Sequence, residues 1–310
     1  MTGNRTNLLL PVALLIAILA VSTASIFIRF AQHNAPSLVI AALRMTFASL
    51  IIAPIALIRH RDELRNITHN EIWLALLSGI FLAIHFATWI SSLEYTSVAS
   101  SVVFVSTGPL WVALLSPGLL NERLNRTAFL GLGLAILGGV VIALSDTCIW
   151  QNGLACSEIS NIQHSRPIWG NFLALVGAWA VSGYLIIGRK LRAKMSLIPY
   201  ISVVYGIAAT CLIIIMVIAG QSPAGYPLTT YGWIFMLAVL PQLIGHSTYN
   251  WAIRYLPAAF VAVTTLGEPI GSALFAYFIL QETPTLAVLS GGVMILAGIY
   301  FASRKTFSVA

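Results

Sequence analysis

The sequence predicts an all-α membrane protein: ten transmembrane helices, built as two inverted five-helix repeats around a central cavity. Three observations predict it. The chain is 59% hydrophobic and 8% charged, with a mean hydropathy of +0.92, whereas a soluble domain carries roughly 25% charged residues. So few charges cannot cover a soluble surface. Apolar runs near twenty residues long recur from end to end, and each is long enough to span a hydrocarbon core about 30 Å thick. The second half of the chain also repeats the first at a fixed offset.

The runs place spans at 8–30, 36–58, 72–93, 97–120, 127–145, 168–188, 197–219, 231–253, 257–280 and 285–303. Backbone groups in lipid must bond within their own segment or around a closed barrel. These runs are too long and continuous for barrel strands, so helices are expected. The first span resembles a signal peptide, with Arg5, an apolar run and the small residues "AVSTAS". Its removal would leave nine spans and an unpaired repeat, so it is expected to stay.

Charge sets the expected orientation. With the N-terminus in the cytoplasm, 13 of the 16 Lys and Arg residues fall on the cytoplasmic side. Arg29 and Arg166 fall outside, and Arg44 lies within the second span. That bias satisfies the positive-inside rule and puts both termini in the cytoplasm. The net charge of +7 follows from the same bias, together with attraction to anionic headgroups. No basic stripe with interleaved aromatics suggests nucleic acid. Cys148 and Cys156 lie in the longest outside loop, where an oxidising compartment permits a disulfide; two free thiols are the alternative.

The repeat runs at an offset of 160: Tyr95 matches Tyr255, Pro109 matches Pro269, Glu122 matches Glu282, Gly131 matches Gly291 and Gly138 matches Gly298. Ser22 and Arg29 match Ser182 and Arg189 in the same register. Apolar stretches match by chance, but Pro, Gly and Glu matches in one register are harder to dismiss. The expected division is 1–145 for the first repeat, 146–167 for an extracytoplasmic linker and 168–310 for the second repeat. Five spans are an odd number, so the second copy enters the membrane from the opposite side. Inverted repeats are a signature of transporters, whose halves exchange conformations about a central site.

Ten spans duplicated five plus five resemble the EamA-type branch of the drug/metabolite transporter (DMT) superfamily. The resemblance rests on "ALRMTF" from Ala41, on "SLEYTSVASSVVFVSTGPLWVALLSPGLLNERL" from Ser92 and on its echo "IRYLPAAFVAVTTLGEPIGSALFAYFILQET" from Ile253. Each repeat has a mid-span Pro and ends on a Glu just past the span. The first copy departs from the pattern with Gly108 where the second has Glu268. The resemblance implies a bacterial cytoplasmic-membrane protein that exports metabolites, amino acids among them, in the lipid bilayer and without a cofactor.

The residues suggest where such a site would lie. Glu268 is the twelfth of 24 residues in the ninth span, about 16 Å from either end at the helical rise. A charged side chain at that depth costs about 2.5–3.5 kcal/mol to insert. It is either a solute or proton site, or a protonated carboxyl pinning two helices. Pro269 and Pro109 each remove an amide, so both spans are expected to kink and to free the carbonyls of Thr265 and Val105. Helical spacing puts Thr264, Thr265, Gly271, Ser272 and Phe275 near Glu268. His85, Trp89 and Ser92 share a face of the third span. Gln242, His246, Tyr249 and Asn250 share one on the eighth, and Trp89 matches Tyr249 in the repeat. These are a cavity wall for an organic solute, or interhelical hydrogen bonds. Trp111 is a further candidate or a packing residue. Arg44 pairs with Glu268, binds an anionic group of the solute, or snorkels to the interface. Two isolated His residues do not make a metal site.

The expectation is therefore a secondary transporter of small molecules, with protons a candidate coupling partner. A channel or receptor is the alternative. A membrane enzyme is disfavoured: the sequence has no HExxH, "WAVSG" around Ser182 lacks the first Gly of an intramembrane protease motif, and no phosphate-binding loop is present.

Overall fold

The structure, a computed structural model, describes residues 3–120, 126–150, 154–156, 166–256, 261, 264–265 and 267–303. Glu122, and most of the segment expected to link the repeats, lie outside the described residues. The first span is α1 (Gly3–Ser22) and α2 (Ala24–Gln32), interrupted at Thr23, whose hydroxyl donates to the Ala20 carbonyl at 2.7 Å. Helices α3 (Ser37–Arg59) and α5 (His69–Ser92) are the second and third spans, with the short α4 (Arg61–Arg65) between them. Helices α6 (Val98–Val105) and α7 (Gly108–Leu120) share the fourth span, and α8 (Arg126–Thr147) is the fifth. The sixth and seventh are α9 (Arg166–Arg192) and α10 (Leu197–Ile218). The eighth runs through α11 (Leu228–Leu237), a π-helical stretch (Ala238–His246) and α12 (Ser247–Ala252). Of the ninth, α13 (Gly267–Phe275) and a π-helical end (Ala276–Leu280) are described, and α14 (Leu286–Ser303) is the tenth.

Six of these segments are long and apolar enough to cross a membrane, and shorter apolar helices stand at the fourth, fifth, ninth and tenth spans. Large apolar side chains such as Leu50, Ile58, Trp73, Ile218 and Phe278 face outward. That surface suits lipid, since a soluble monomer rarely shows so continuous an apolar face. The expected outside loop carries a hairpin of two strands, β1 (Cys148–Trp150) and β2 (Leu154–Cys156), paired antiparallel with Cys148 opposite Cys156.

Helix starts follow local chemistry. Thr68 and Glu71 form a reciprocal capping box at the start of α5. Glu94 accepts the Ser37 amide at 3.1 Å and its hydroxyl, at the start of α3. Glu63 accepts the Ser196 amide and hydroxyl at 2.6 and 2.5 Å, at the start of α10. In both cases a carboxylate meets the positive end of a helix dipole.

Packing between the halves is reciprocal. Helix α1 packs on the eighth and ninth spans, and its counterpart α9 packs on the third and fourth. The second and seventh spans pack on each other, as do the fifth and tenth. At the α8–α14 crossing the backbones touch. A Cβ on Gly138 would lie 2.5 Å from the Gly291 carbonyl, and one on Gly298 would collide with the Gly131 carbonyl. Small residues of this kind let membrane helices approach closely.

The prolines do more than kink their spans. The fourth breaks at Ser106 and Thr107 and restarts at Gly108, and the ninth restarts at Gly267 after a turn at Thr265. Proline is compatible with the first turn of a helix but not its interior, so each span ends and begins again. The Thr265 carbonyl is not free as expected: it accepts the Glu268 amide at 2.9 Å. Each break is also tied to the other half. Ser182 Oγ donates to the Gly108 carbonyl at 2.9 Å, and Ser22 Oγ reaches the Glu268 carbonyl at 3.4 Å.

Replacing Gly291 by Leu should destabilise the protein by about 1–3 kcal/mol, the usual cost of overpacking. Replacing Gly133, whose Cβ would meet nothing within 4 Å, by Ala should not. Thermal unfolding in detergent micelles distinguishes the two; equal melting temperatures would contradict the crossing.

Candidate solute site

Both breaks and the eighth span border one cavity, with about 770 Å³ of unfilled space when the part continuous with its mouth is included. From α5 come His85 and Trp89, and from the α6–α7 break come Ser106, Gly108 and Pro109. Tyr184 enters from α9, and His246, Tyr249 and Asn250 from the end of the eighth span. Thr265 and Glu268 come from the ninth. The breaks matter because irregular backbone at membrane depth is tolerated only where it is buried or lines a cavity.

The aromatic groups form a row across the two halves. Trp89 stacks on His85 with ring centroids 5.8 Å apart, His85 meets His246 edge-on at 6.4 Å, and His246 meets Tyr249 edge-on at 6.5 Å. Several polar atoms are committed to the scaffold. His85 Nδ1 is 2.9 Å from the Gly177 carbonyl, so that nitrogen carries the proton and donates. The Asn250 amide donates to Tyr184 Oη at 2.5 Å and to the His246 carbonyl at 2.8 Å. The half-buried Glu268 carboxylate makes no hydrogen bond or ion pair among the described residues, and the Arg44 guanidinium acts on it only through space.

Eight of the residues singled out from the sequence thus border the cavity: His85, Trp89, Pro109, His246, Tyr249, Asn250, Thr265 and Glu268. Arg44 does not. It is fully buried behind Phe86, with its guanidinium carbon 4.1 Å from that ring's centre, and Nη2 donates to Gln242 Oε1 at 3.0 Å. Snorkelling is ruled out by that burial, and so is a contact ion pair with Glu268 in this structure. Pro269 is buried one residue past Glu268 and lines a neighbouring apolar cleft with Val103 and Tyr277.

Gln242 leaves the face expected for it because Pro241 falls within the π-helical stretch. The wider turn absorbs the proline and re-aims the residues that follow. Ser92 bonds Ser101 Oγ at 2.6 Å, Ser272 donates to the Ser22 carbonyl at 3.1 Å, and Trp111 packs edge-on against Trp179. None of the three borders the cavity. Tyr184 and Ser106 were missed. Tyr184 is buried, as are Tyr200, Tyr205 and Tyr249; a hydroxyl-bearing residue within an apolar span was the available signal. Ser106 gave none.

Comparison with known proteins fits this geometry. The model of the EamA-like transporter family matches residues 9–144 and again 168–304. An uncharacterized transporter of Archaeoglobus fulgidus is 24% identical over 98% of this chain and 99% of its own. The pseudopaline exporter CntI of Pseudomonas aeruginosa strain UCBPP-PA14 is 23% identical over 96% of this chain and 97% of its own. The inner membrane protein YtfF of Escherichia coli K12 is 24% identical over 82% and 83%. A chain from a solved crystal structure superposes with a TM-score of 0.66 at 19% identity, covering 96% of this chain and 98% of that one, a likeness of fold alone. A multi-pass helical membrane protein with a largely apolar, aromatic-rich cavity that a few polar groups enter has the build of a small-molecule carrier. The chain belongs to the EamA-like transporter family and, with it, to the DMT superfamily.

Gln242→Leu should cost about 1.5–3 kcal/mol, the worth of a hydrogen bond to a charged group, because it removes the one acceptor side chain that Arg44 has among the described residues. The unfolding temperature in micelles measures this; an unchanged value would mean that Arg44 finds another partner.

Proposed function

We propose that the protein is a secondary transporter that exports small organic metabolites, amino acids or related compounds, across the bacterial cytoplasmic membrane by alternating access. Its units are two inverted five-helix repeats, 1–145 and 168–310, joined by 146–167 on the outside, with both termini in the cytoplasm. One observation carries the reading: contacts between the halves come in exchanged pairs around the cavity. Ser182 holds the carbonyl of Gly108 and Ser22 reaches that of Glu268. Adding 160 to Ser22 gives Ser182, and subtracting it from Glu268 gives Gly108. Gly138 meets Gly291 while Gly131 meets Gly298, the antiparallel pattern of two copies facing each other in opposite orientations. Two similar halves related in this way can exchange conformations. The name of the Pseudomonas relative supports export, and relatives named as transporters support a carrier rather than an enzyme.

The outer mouth is the closed one in this reading. Arg29 bonds the carbonyls of Leu93 and Thr96 at 2.5 and 2.9 Å and pairs with Glu282 at 3.2 Å, while Glu282 accepts the Val98 amide at 2.9 Å. One charge pair thus ties the first span, the loop after the third and the end of the ninth. On the other side the cavity extends to Leu185, Ile253 and Val261, toward the ends of the sequence runs that carry Arg189, Lys190, Arg192 and Arg254. A cysteine at Ser106, in a chain whose native cysteines are replaced, should react slowly with an impermeant thiol reagent outside. Glu282→Gln should speed that reaction about tenfold, the effect of removing roughly 1.4 kcal/mol of closure. Fast labelling before the change would contradict the closed outer face.

Glu268 is the coupling candidate. If it carries protons, Glu268→Gln should abolish pH-driven uptake into proteoliposomes while solute exchange survives. If it holds a cationic group of the solute, affinity should fall at every pH. Unchanged affinity, rate and pH dependence would leave it a structural carboxyl. A metabolite panel screened for efflux from overexpressing cells identifies the solute, and saturable counterflow separates a carrier from a channel or receptor.

A further inference from the structure

Away from the solute cavity, three hollows join into one groove. A polar pocket at one end of the bundle is lined by Arg29, Glu94, Thr96 and Glu282. It shares Ser97, Glu282 and Thr283 with a smaller pocket. That pocket shares Ala99, Ala273, Pro284 and Val288 with the apolar cleft beside Pro269. The cleft holds about 850 Å³ of unfilled space, its open side included. It follows α14 from Val288 to Leu296, about 12 Å at the helical rise. Its rims, Ile270, Leu274, Leu289 and Val293, are exposed apolar side chains. Part of the room comes from Gly292, where a Cβ would lie 3.5 Å from Val103 Cγ2.

The groove is apolar at one end and charged at the other, and this says what fills it. A bound water needs about two to four polar partners, which the apolar walls do not offer. An empty cleft forfeits dispersion contacts. A hydrocarbon chain from the surrounding bilayer supplies them. At the charged end the Arg29 and Glu282 side chains are 25% and 30% exposed, so a ligand can reach them. Arg29 donates to the carbonyls of Leu93 and Thr96, which sets its guanidinium against the turn that carries Glu94. Glu94 is exposed and bonds the Ser37 amide and hydroxyl through Oε1 alone; Oε2 makes no hydrogen bond among the described residues. Two carboxylates thus flank one guanidinium. They repel a head that is only anionic, whereas a head with a phosphate and an ammonium finds an opposite charge for each.

We propose that this groove binds a bilayer phospholipid with a primary-amine headgroup: an acyl chain lies in the cleft between α6, α13 and α14, the phosphate meets Arg29 and the ammonium meets Glu94 Oε2. The site is separate from the solute cavity. On the orientation proposed above, the lipid belongs to the outer leaflet. Its head lies against the Arg29–Glu282 pair that ties the first span to the end of the ninth.

The test uses the purified full chain in detergent, titrated with dioleoyl phosphatidylethanolamine, phosphatidylcholine and phosphatidylglycerol. Native mass spectrometry reads the affinity of the first bound lipid. The three probes share their chains and phosphate. The ethanolamine lipid should bind about fivefold tighter than the choline lipid, the worth of an exposed ion pair, because a quaternary ammonium has no N–H to donate. The glycerol lipid, which has no cation, should bind more weakly still. Glu94→Gln keeps an oxygen for Ser37 and should bring the ethanolamine lipid down to the level of the choline lipid. Ala273→Phe, at the neck between the polar pocket and the cleft, should weaken all three lipids. Ala99→Phe, on the facing wall of the neck, should do the same and serves where the first variant does not fold. Ile218→Phe, on an exposed apolar face elsewhere, should weaken none. Equal binding of the three lipids would overturn the proposal, as would a preference for the glycerol lipid. So would an ethanolamine preference that survives Glu94→Gln, or binding that both neck variants leave intact. A lipid-free dimer that Ala273→Phe dissociates would put a second copy of the chain in the groove and overturn it as well. No readout involves transport, so the result stands apart from the transporter reading.

Discussion

The centre of the molecule depends on two interrupted helices. A membrane offers no water to satisfy a broken backbone, so the breaks before Pro109 and Pro269 can exist only where protein groups meet them. Ser182 and Ser22 supply those groups, each reaching from the first span of the opposite half. The cavity follows from this arrangement, because the restarted helices cannot close on themselves at that depth. Glu268 then falls in the first turn of α13, where the helix dipole favours a negative charge. In the other copy the same position is Gly108, which adds no side chain. One half supplies the charge and the other leaves room beside it.

Arg44 shows how a cation is kept in such an interior. It has no contact counter-ion among the described residues, and burying an unpaired charge is expensive. Part of that cost is offset by the face of Phe86, since a guanidinium over an aromatic ring is attracted to its quadrupole. The bond to Gln242 supplies a further part. Gln242 lies in the π-helical stretch that contains Pro241. The same local departure from α geometry therefore serves both the wall, through His246, Tyr249 and Asn250, and the cation behind it.

Much of this was legible in the sequence, for reasons that can be named. Span positions are set by hydropathy over whole segments, and α3, α5 and α10 begin and end within a few residues of expectation. Glu268, His85, Trp89 and Tyr249 stand out because polar or aromatic groups in apolar runs are rare and must face inward. The breaks were underestimated. A proline shows where a helix loses an amide, but whether the chain kinks or restarts depends on partners from another span, here Ser22 and Ser182. Arg44 was harder, because its three possible destinations differ only in tertiary distance. Gln242 was misplaced by a π-helical stretch that α periodicity does not describe. The hairpin at Cys148–Cys156 lies in a polar segment with no period to read.

The glycine crossing between α8 and α14 bears on the origin of the chain. Gly138 meets Gly291 and Gly131 meets Gly298, so each contact joins the earlier glycine of one copy to the later glycine of the other. On the inverted arrangement proposed above, a single five-helix protein with both glycines, inserted into the membrane in both orientations, would satisfy the whole crossing with its own sequence. Gene fusion would then have changed nothing in the contact itself. What fusion permits is divergence, and the exchange of Gly108 for Glu268 across the central cavity is something a symmetric ancestor could not hold on one side alone.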